Sequence, residues 1–308
     1  MQIALGWGLA LAFPAAASAV QTIGQVGPSS ASLFDCSEDE AYLQKTIVAG
    51  APYSPTNYGV ITSWSARSKS FSDQTVKLMV FRDDGSSQFS VVAKDSVTRT
   101  LASVADALNT FTDTRIPIEA NQRIGVYLPQ GSTEGCVFGT GNAGDTTGFS
   151  LPFGVGEPAE GVGFDYSGAE SGFRVNAQAV VEPDTDRDVF GDESQDSCVG
   201  TPGTANGCPS TVTIGKIKQK GVKKVKVTVT VPGAGTLEVG PAGAKTLKAK
   251  STKLSAITKQ KLTLGLKLTK SARSKLIDAG KLKVKVRAVY TPPGGTPGSA
   301  QKKKKLKS

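Results

Sequence analysis

Apolar residues recur at every second position through most of this chain. Val225, Val227 and Val229 alternate with Lys224, Lys226 and Thr228. Leu262, Leu264, Leu266 and Leu268 alternate with Thr and Lys, and Leu282, Val284 and Val286 with Lys281, Lys283 and Lys285. Nearer the N-terminus, Val76, Leu78 and Val80 do the same before the turn Asp83-Asp84-Gly85, and Ile124, Val126 and Leu128 before Pro129. A period of two sends successive side chains to opposite faces of a strand, so these stretches predict sheets rather than helices. The 35 glycines and 16 prolines supply the turns that many short strands need.

The expected fold class is therefore all-β. A jelly-roll-like β-sandwich is expected over 24–181, an acidic linker over 182–210, an Ig-like β-sandwich over 211–292 and a disordered Lys-rich tail over 293–308. Thr269 to Ala279 predicts a short helix ended by Gly280 at the C′ position. Residues 101–108 predict one or two helical turns, or a loop.

Charge divides the chain. Of 36 basic residues 25 lie in 211–308, with only two acids there, Glu238 and Asp278. That half carries a net charge of +23 and the rest −13, with 11 basic and 24 acidic residues. Such asymmetry points to an anionic partner for the basic half, or to association between the halves.

Histidine is absent. Ser-His-Asp and Cys-His catalysis and His-based zinc sites are thereby excluded. The chain also lacks a G-x-S-x-G elbow and a GK[ST] phosphate loop. Asp165 and Glu170 are loop carboxylates with nothing to set them at catalytic distance, so no enzyme is expected.

Residues 1–19 (MQIALGWGLALAFPAAASA) end in the small-x-small pattern Ala17-Ser18-Ala19, which predicts a signal peptide and an extracellular location. The four cysteines fit an oxidising compartment. They allow three pairings. Cys36–Cys136 and Cys198–Cys208 are favoured, since each then stays within one charge region. In the chain-entropy picture they contribute roughly 4–5 and 2–3 kcal/mol.

The linker reads Asp184-Thr185-Asp186-Arg187-Asp188-Val189-Phe190-Gly191-Asp192-Glu193-Ser194-Gln195-Asp196-Ser197-Cys198. Calcium takes six to eight oxygen ligands from carboxylates, backbone carbonyls and water. Asp184, Asp186 and Asp188 would supply the first, the Phe190 carbonyl another, and Asp192 and Asp196 (or Glu193) the remainder. Without a cation these carboxylates repel one another. The stretch resembles the thrombospondin type 3 calcium repeat on Asp184, Asp186, Asp188, Gly191 and Asp192, with Asp196 and Cys198 one position late. It departs from that repeat at Val189, where the pattern has Gly in a position needing φ > 0. The order of leader, β-domain, aspartate linker and Lys-rich β-domain also resembles exported proteins of high-GC Gram-positive bacteria, which implies architecture and location. Residues 211–292 resemble a small bacterial immunoglobulin-like module.

These readings predict a secreted or surface-associated binding or structural protein. Lys223, Lys224, Lys226, Lys281, Lys283 and Lys285 would contact an anionic cell-wall polymer or a membrane surface, unless the lysine faces are merely solvated and protect sheet edges. Nucleic acid is disfavoured, because Tyr290 is the only aromatic in the basic half. The alternative is a carbohydrate-binding module or an accessory of a polysaccharide-degrading system. Trp64, Tyr53, Tyr58, Tyr127 and Tyr166 would be its glycan candidates, although Trp64 fits a core position better.

Overall fold

The computed structural model describes residues 19–69, 73–85, 88–151, 156–243 and 245–308. The leader expectation lies outside these residues except for Ala19. The fold is all-β: the described residues form several antiparallel sheets and one helix of more than one turn, Lys270–Ala279. Among the described residues no helix is long and apolar enough to cross a membrane.

Two stacked sheets organise the N-terminal part. The smaller runs Gln21–Gln25, Ala177–Pro183, Gly59–Arg67, Leu108–Phe111, with Ile116–Ile118 also on Gly59–Arg67. The larger goes further than an open sheet. Gln122–Leu128 pairs with Glu40–Thr46 on one side and Gln74–Gly85 on the other. Thr146–Leu151, Gly163–Ser171 and Gln88–Lys94 complete a closed ring. Closure removes the free edges that an open sheet leaves available for aggregation.

This ring explains a departure from simple amphipathic alternation. Val76, Leu78 and Val80 are buried, but so are Lys77, Met79 and Phe81 between and beyond them. Leu78, Val80, Ile124 and Val126 face the smaller sheet and share one core with Ile61, Trp64, Ala179 and Val181. Met79, Phe81, Ala41, Leu43, Phe89 and Tyr127 fill the interior of the ring as a second core. Glu40–Thr46, Gln74–Gly85 and Gln122–Leu128 thus bury residues on both faces.

In the C-terminal part a three-stranded sheet (Thr213–Lys220, Lys224–Val231, Gln260–Lys267) faces a four-stranded one (Lys250–Leu254, Gly235–Pro241, Lys281–Thr291, Gly298–Lys307). Val225, Val227 and Val229 of the first share one core with Leu237, Val239, Val284 and Val286 of the second. The helix starts at Thr269, whose hydroxyl accepts the Ala272 amide at 3.3 Å, and ends at Gly280 in the left-handed region. Residues 102–107 form turns between two strands, the loop reading of that stretch.

The expected disordered tail is corrected. Gly298–Lys307 is an edge strand that pairs with Lys281–Thr291 along its whole length. Leu306 is its anchor, fully buried in the core, and Lys302 donates to the Gly215 carbonyl at 2.8 Å on the facing sheet.

Candidate metal centre

The strand Ala177–Pro183 ends one residue before Asp184, so the aspartate loop begins at the rim of the smaller sheet. In an extended chain alternate side chains share a side but stand roughly 7 Å apart. Carboxylate oxygens of Asp184, Asp186 and Asp188 instead lie within 4.8 Å of one another. Arg187 and Val189 supply the necessary curl by adopting φ 60° and 67°. A β-branched residue there carries about 1–3 kcal/mol of strain, and the surrounding contacts hold it in place.

Those contacts are numerous. Asp184 Oδ2 accepts the Val189 amide at 2.9 Å and the Tyr58 hydroxyl at 3.1 Å. Asp188 accepts the Phe190 amide at 3.1 Å and, from the Cys198–Cys208 loop, the Gly203 amide at 2.9 Å. The Asp192 carboxylate takes the Thr185 hydroxyl at 2.6 Å and so ties the neck of the loop. Asp196 accepts the Cys198 amide at 2.6 Å, and a Cβ at Gly207 would collide with its carboxylate. Phe190 is buried, with the Arg115 guanidinium 4.6 Å above its ring.

Some oxygens are left over. Both carboxylate oxygens of Asp186 and Oδ2 of Asp196 are buried without a hydrogen-bond donor in bonding geometry. Burial first, then Asp188 and Asp184, push the Asp186 carboxyl up to about 6, with the Thr201 amide opposing weakly. Burial likewise pushes Asp196 up to about 7, helped by Asp188, Asp186 and Asp192 against the Cys198 amide. Crowded, desolvated carboxylates with orphaned oxygens fit a cation. The donors are all oxygens, which suits a hard ion of the calcium or magnesium kind over zinc or copper. The Asp184–Asp186–Asp188 cluster could hold such an ion.

The same segment binds both domains. Glu182, not singled out by sequence, accepts the Thr62 hydroxyl at 3.0 Å and the Ser194 amide and hydroxyl at 2.8 and 2.6 Å. A Cβ at Gly191 would strike Glu182 and Thr62, so only glycine lets the loop close this tightly. Gln195 donates to the Thr114 carbonyl at 2.8 Å, and Arg187 lies 4.2 Å over Tyr58 while pairing with Glu119 at 3.2 Å. Toward the basic domain, the Ser197 carbonyl accepts the Ala234 amide at 3.2 Å. The Tyr290 hydroxyl sits 3.7 and 3.9 Å from the sulfurs of Cys198 and Cys208. Both disulfides, Cys36–Cys136 and Cys198–Cys208, pair as favoured, with Cα separations of 6.2 and 4.9 Å.

The other candidate residues disperse. Lys224 and Lys226 lie on the outer face of the three-stranded sheet, with Lys223 exposed just before the strand, whereas Lys281, Lys283 and Lys285 lie on the other sheet. Trp64 is buried and donates to Asp95 at 2.9 Å. Tyr53 and Tyr127 are buried too, and the ring of Tyr166 lies outside the described side chains. Asp165 and Glu170 occupy one strand, Gly163–Ser171. Five residues along a strand span about 16 Å, wider than the roughly 5–10 Å of a glycosidase pair.

Compared with known proteins, the chain matches no family model, no curated protein and no solved structure.

Proposed function

We propose that this chain is an exported, non-enzymatic binding and structural protein in which calcium locks the joint between two β-domains, while the basic domain holds an anionic polymer of the cell surface. The observation that carries the reading is the orphaned, half-buried Asp186 carboxylate between Asp184 and Asp188, in a loop hydrogen-bonded to one domain and, through the Cys198–Cys208 loop, joined to the other. Asp184, Asp186 and Asp188 would hold the ion, with Asp196 and the Phe190 carbonyl as further donors and Asp192 fastening the loop around it. The ion would act as a cross-link and perform no chemistry. Its binding would raise folded-state stability by about 2.7 kcal/mol at a hundred times Kd. The two disulfides support an oxidising compartment. The 25 bases of residues 211–308 support the anionic partner. Among the described side chains no candidate aromatic forms a sugar platform, since Trp64, Tyr53 and Tyr127 are buried and Tyr58 is engaged with Asp184 and Arg187.

Calcium titration calorimetry on the full chain tests the reading, with Asp186→Asn/Asp188→Asn as the comparison. Saturable binding to one site, lost in the variant, is expected. No heat at millimolar calcium would overturn the calcium joint.

A further inference from the structure

The lysines of the C-terminal domain lie in register across neighbouring strands. On the four-stranded sheet Lys281 stands opposite Lys307, Lys283 opposite Lys305 and Lys285 opposite Lys303. On the three-stranded sheet Lys224 stands between Lys220 and Lys267, and Lys226 opposite Lys218. All of these side chains are exposed. Among the described residues, no ion pair involves any residue beyond Arg187.

Like charges directly opposite one another weaken a sheet. Edge protection accounts for lysines on the edge strand Gly298–Lys307. It does not account for Lys224 and Lys226, whose strand is paired on both sides at these positions. Lys281, Lys283 and Lys285 lie beyond the pairing with Gly235–Pro241, which begins at Val286, and stand opposite the lysines of the edge strand alone. The two lysine arrays also point in opposite directions, since the inner faces of both sheets meet in one core. A flat anionic surface can touch only one of them.

We propose that the domain grips linear polyanions on both outer faces, so that one molecule joins two segments of an anionic polymer. Rows of ammonium groups repeat about every 7 Å along a strand and about 5 Å across it, a spacing at which a regularly charged chain can lie along the sheet. Neither face offers an aromatic ring for base stacking: Tyr290, the only aromatic in residues 211–308, is fully buried. The partner is therefore read through its charges, as in a polyphosphate or a polyphosphodiester without stacking bases. The inference rests on the anionic-partner part of the proposed function and adds the two-faced geometry.

The test uses the full chain with inorganic polyphosphate, short chains of roughly one face's length and long ones. Lys283→Glu/Lys285→Glu disarms one face and Lys224→Glu/Lys226→Glu the other. Both change the net charge equally, and both put Glu opposite Lys, which favours strand pairing. Calorimetry should find two short chains per wild-type molecule and one for each variant. With long chains each variant should lose about 100-fold in apparent affinity, through lost bivalency. One short chain per wild-type molecule, with one variant abolishing binding and the other leaving it intact, would overturn the two-faced geometry and leave a single-faced anionic contact. Failure of the wild-type protein to bind any polyphosphate at low salt would overturn the anionic reading as well.

Discussion

The two β-domains handle charge in opposite ways. In the N-terminal domain several charges are buried and matched. Arg174 makes two 2.9 Å bonds to Asp145, which is wholly buried, and a 2.7 Å bond to Gln25. Arg99 grips Asp95 at 2.8 and 3.2 Å, and Lys77 pairs with Glu157 at 2.7 Å. In the C-terminal domain 25 bases face two acids, and like charges stand in register. A matched charge holds a fold together by satisfying its partner. An unmatched one leaves its field directed outward, toward whatever the domain meets. The joint lies between these regimes and concentrates unmatched charge of the opposite sign in one loop.

This contrast can be broken by substitution. Arg174→Ala should have the largest effect, roughly 3–5 kcal/mol of lost stability in chemical denaturation, because it strands a buried carboxylate. Removing the second disulfide with Cys198→Ser/Cys208→Ser should cost about 3 kcal/mol. It should also weaken calcium binding in calorimetry, since the Gly203 amide that holds Asp188 and the Cys198 amide that holds Asp196 both belong to that loop. Unchanged calcium affinity would separate the disulfide from the metal centre.

The pH dependence sharpens the comparison at the joint. Burial and the neighbouring carboxylates push Asp186 up to about 6 and Asp196 up to about 7, against about 4 when unfolded. Both bind a proton more tightly folded than unfolded. Their contribution to stability is complete below the unfolded value and is lost as pH rises through the folded ones. In a chelator the denaturation midpoint should therefore fall between pH 5 and pH 8. Calcium should abolish that fall by replacing the protons. A midpoint that stays level in chelator would contradict the crowded carboxylates.

Two smaller effects remain. Val189→Gly removes a left-handed β-branched residue and should tighten calcium binding by about 1 kcal/mol, roughly fivefold. Lys283→Glu should leave thermal stability unchanged or raise it by a few tenths of a kcal/mol, as it faces Lys305. Together with Arg174→Ala it would show that one domain uses its charges for folding and the other does not.

Local signals were legible in the sequence, and distant ones were not. The strands of the basic domain follow from alternation, the helix from Thr269 and Gly280, and the aspartate cluster from its spacing, because each depends on neighbours within a few residues. Ring closure depends on pairings such as Leu43 with Gly125 and Phe164 with Phe89, which no local pattern encodes. The final strand is not legible in the sequence because Leu306 is its single fully buried residue, and four consecutive lysines mask the alternation. Glu182 carries no local signal, because Thr62, its partner, is 120 residues away. Val189 looked unsuited to its position, yet the amides and carboxylates around it hold the left-handed turn.

Hydrogen exchange across residues 184–208, with calcium and with chelator, tests the central claim most directly. If the cation locks the joint, calcium should slow exchange at Val189, Phe190, Cys198 and Gly203, whose amides bind the aspartates. Both β-domain cores should be unaffected. Identical exchange in calcium and chelator would contradict a calcium-locked joint.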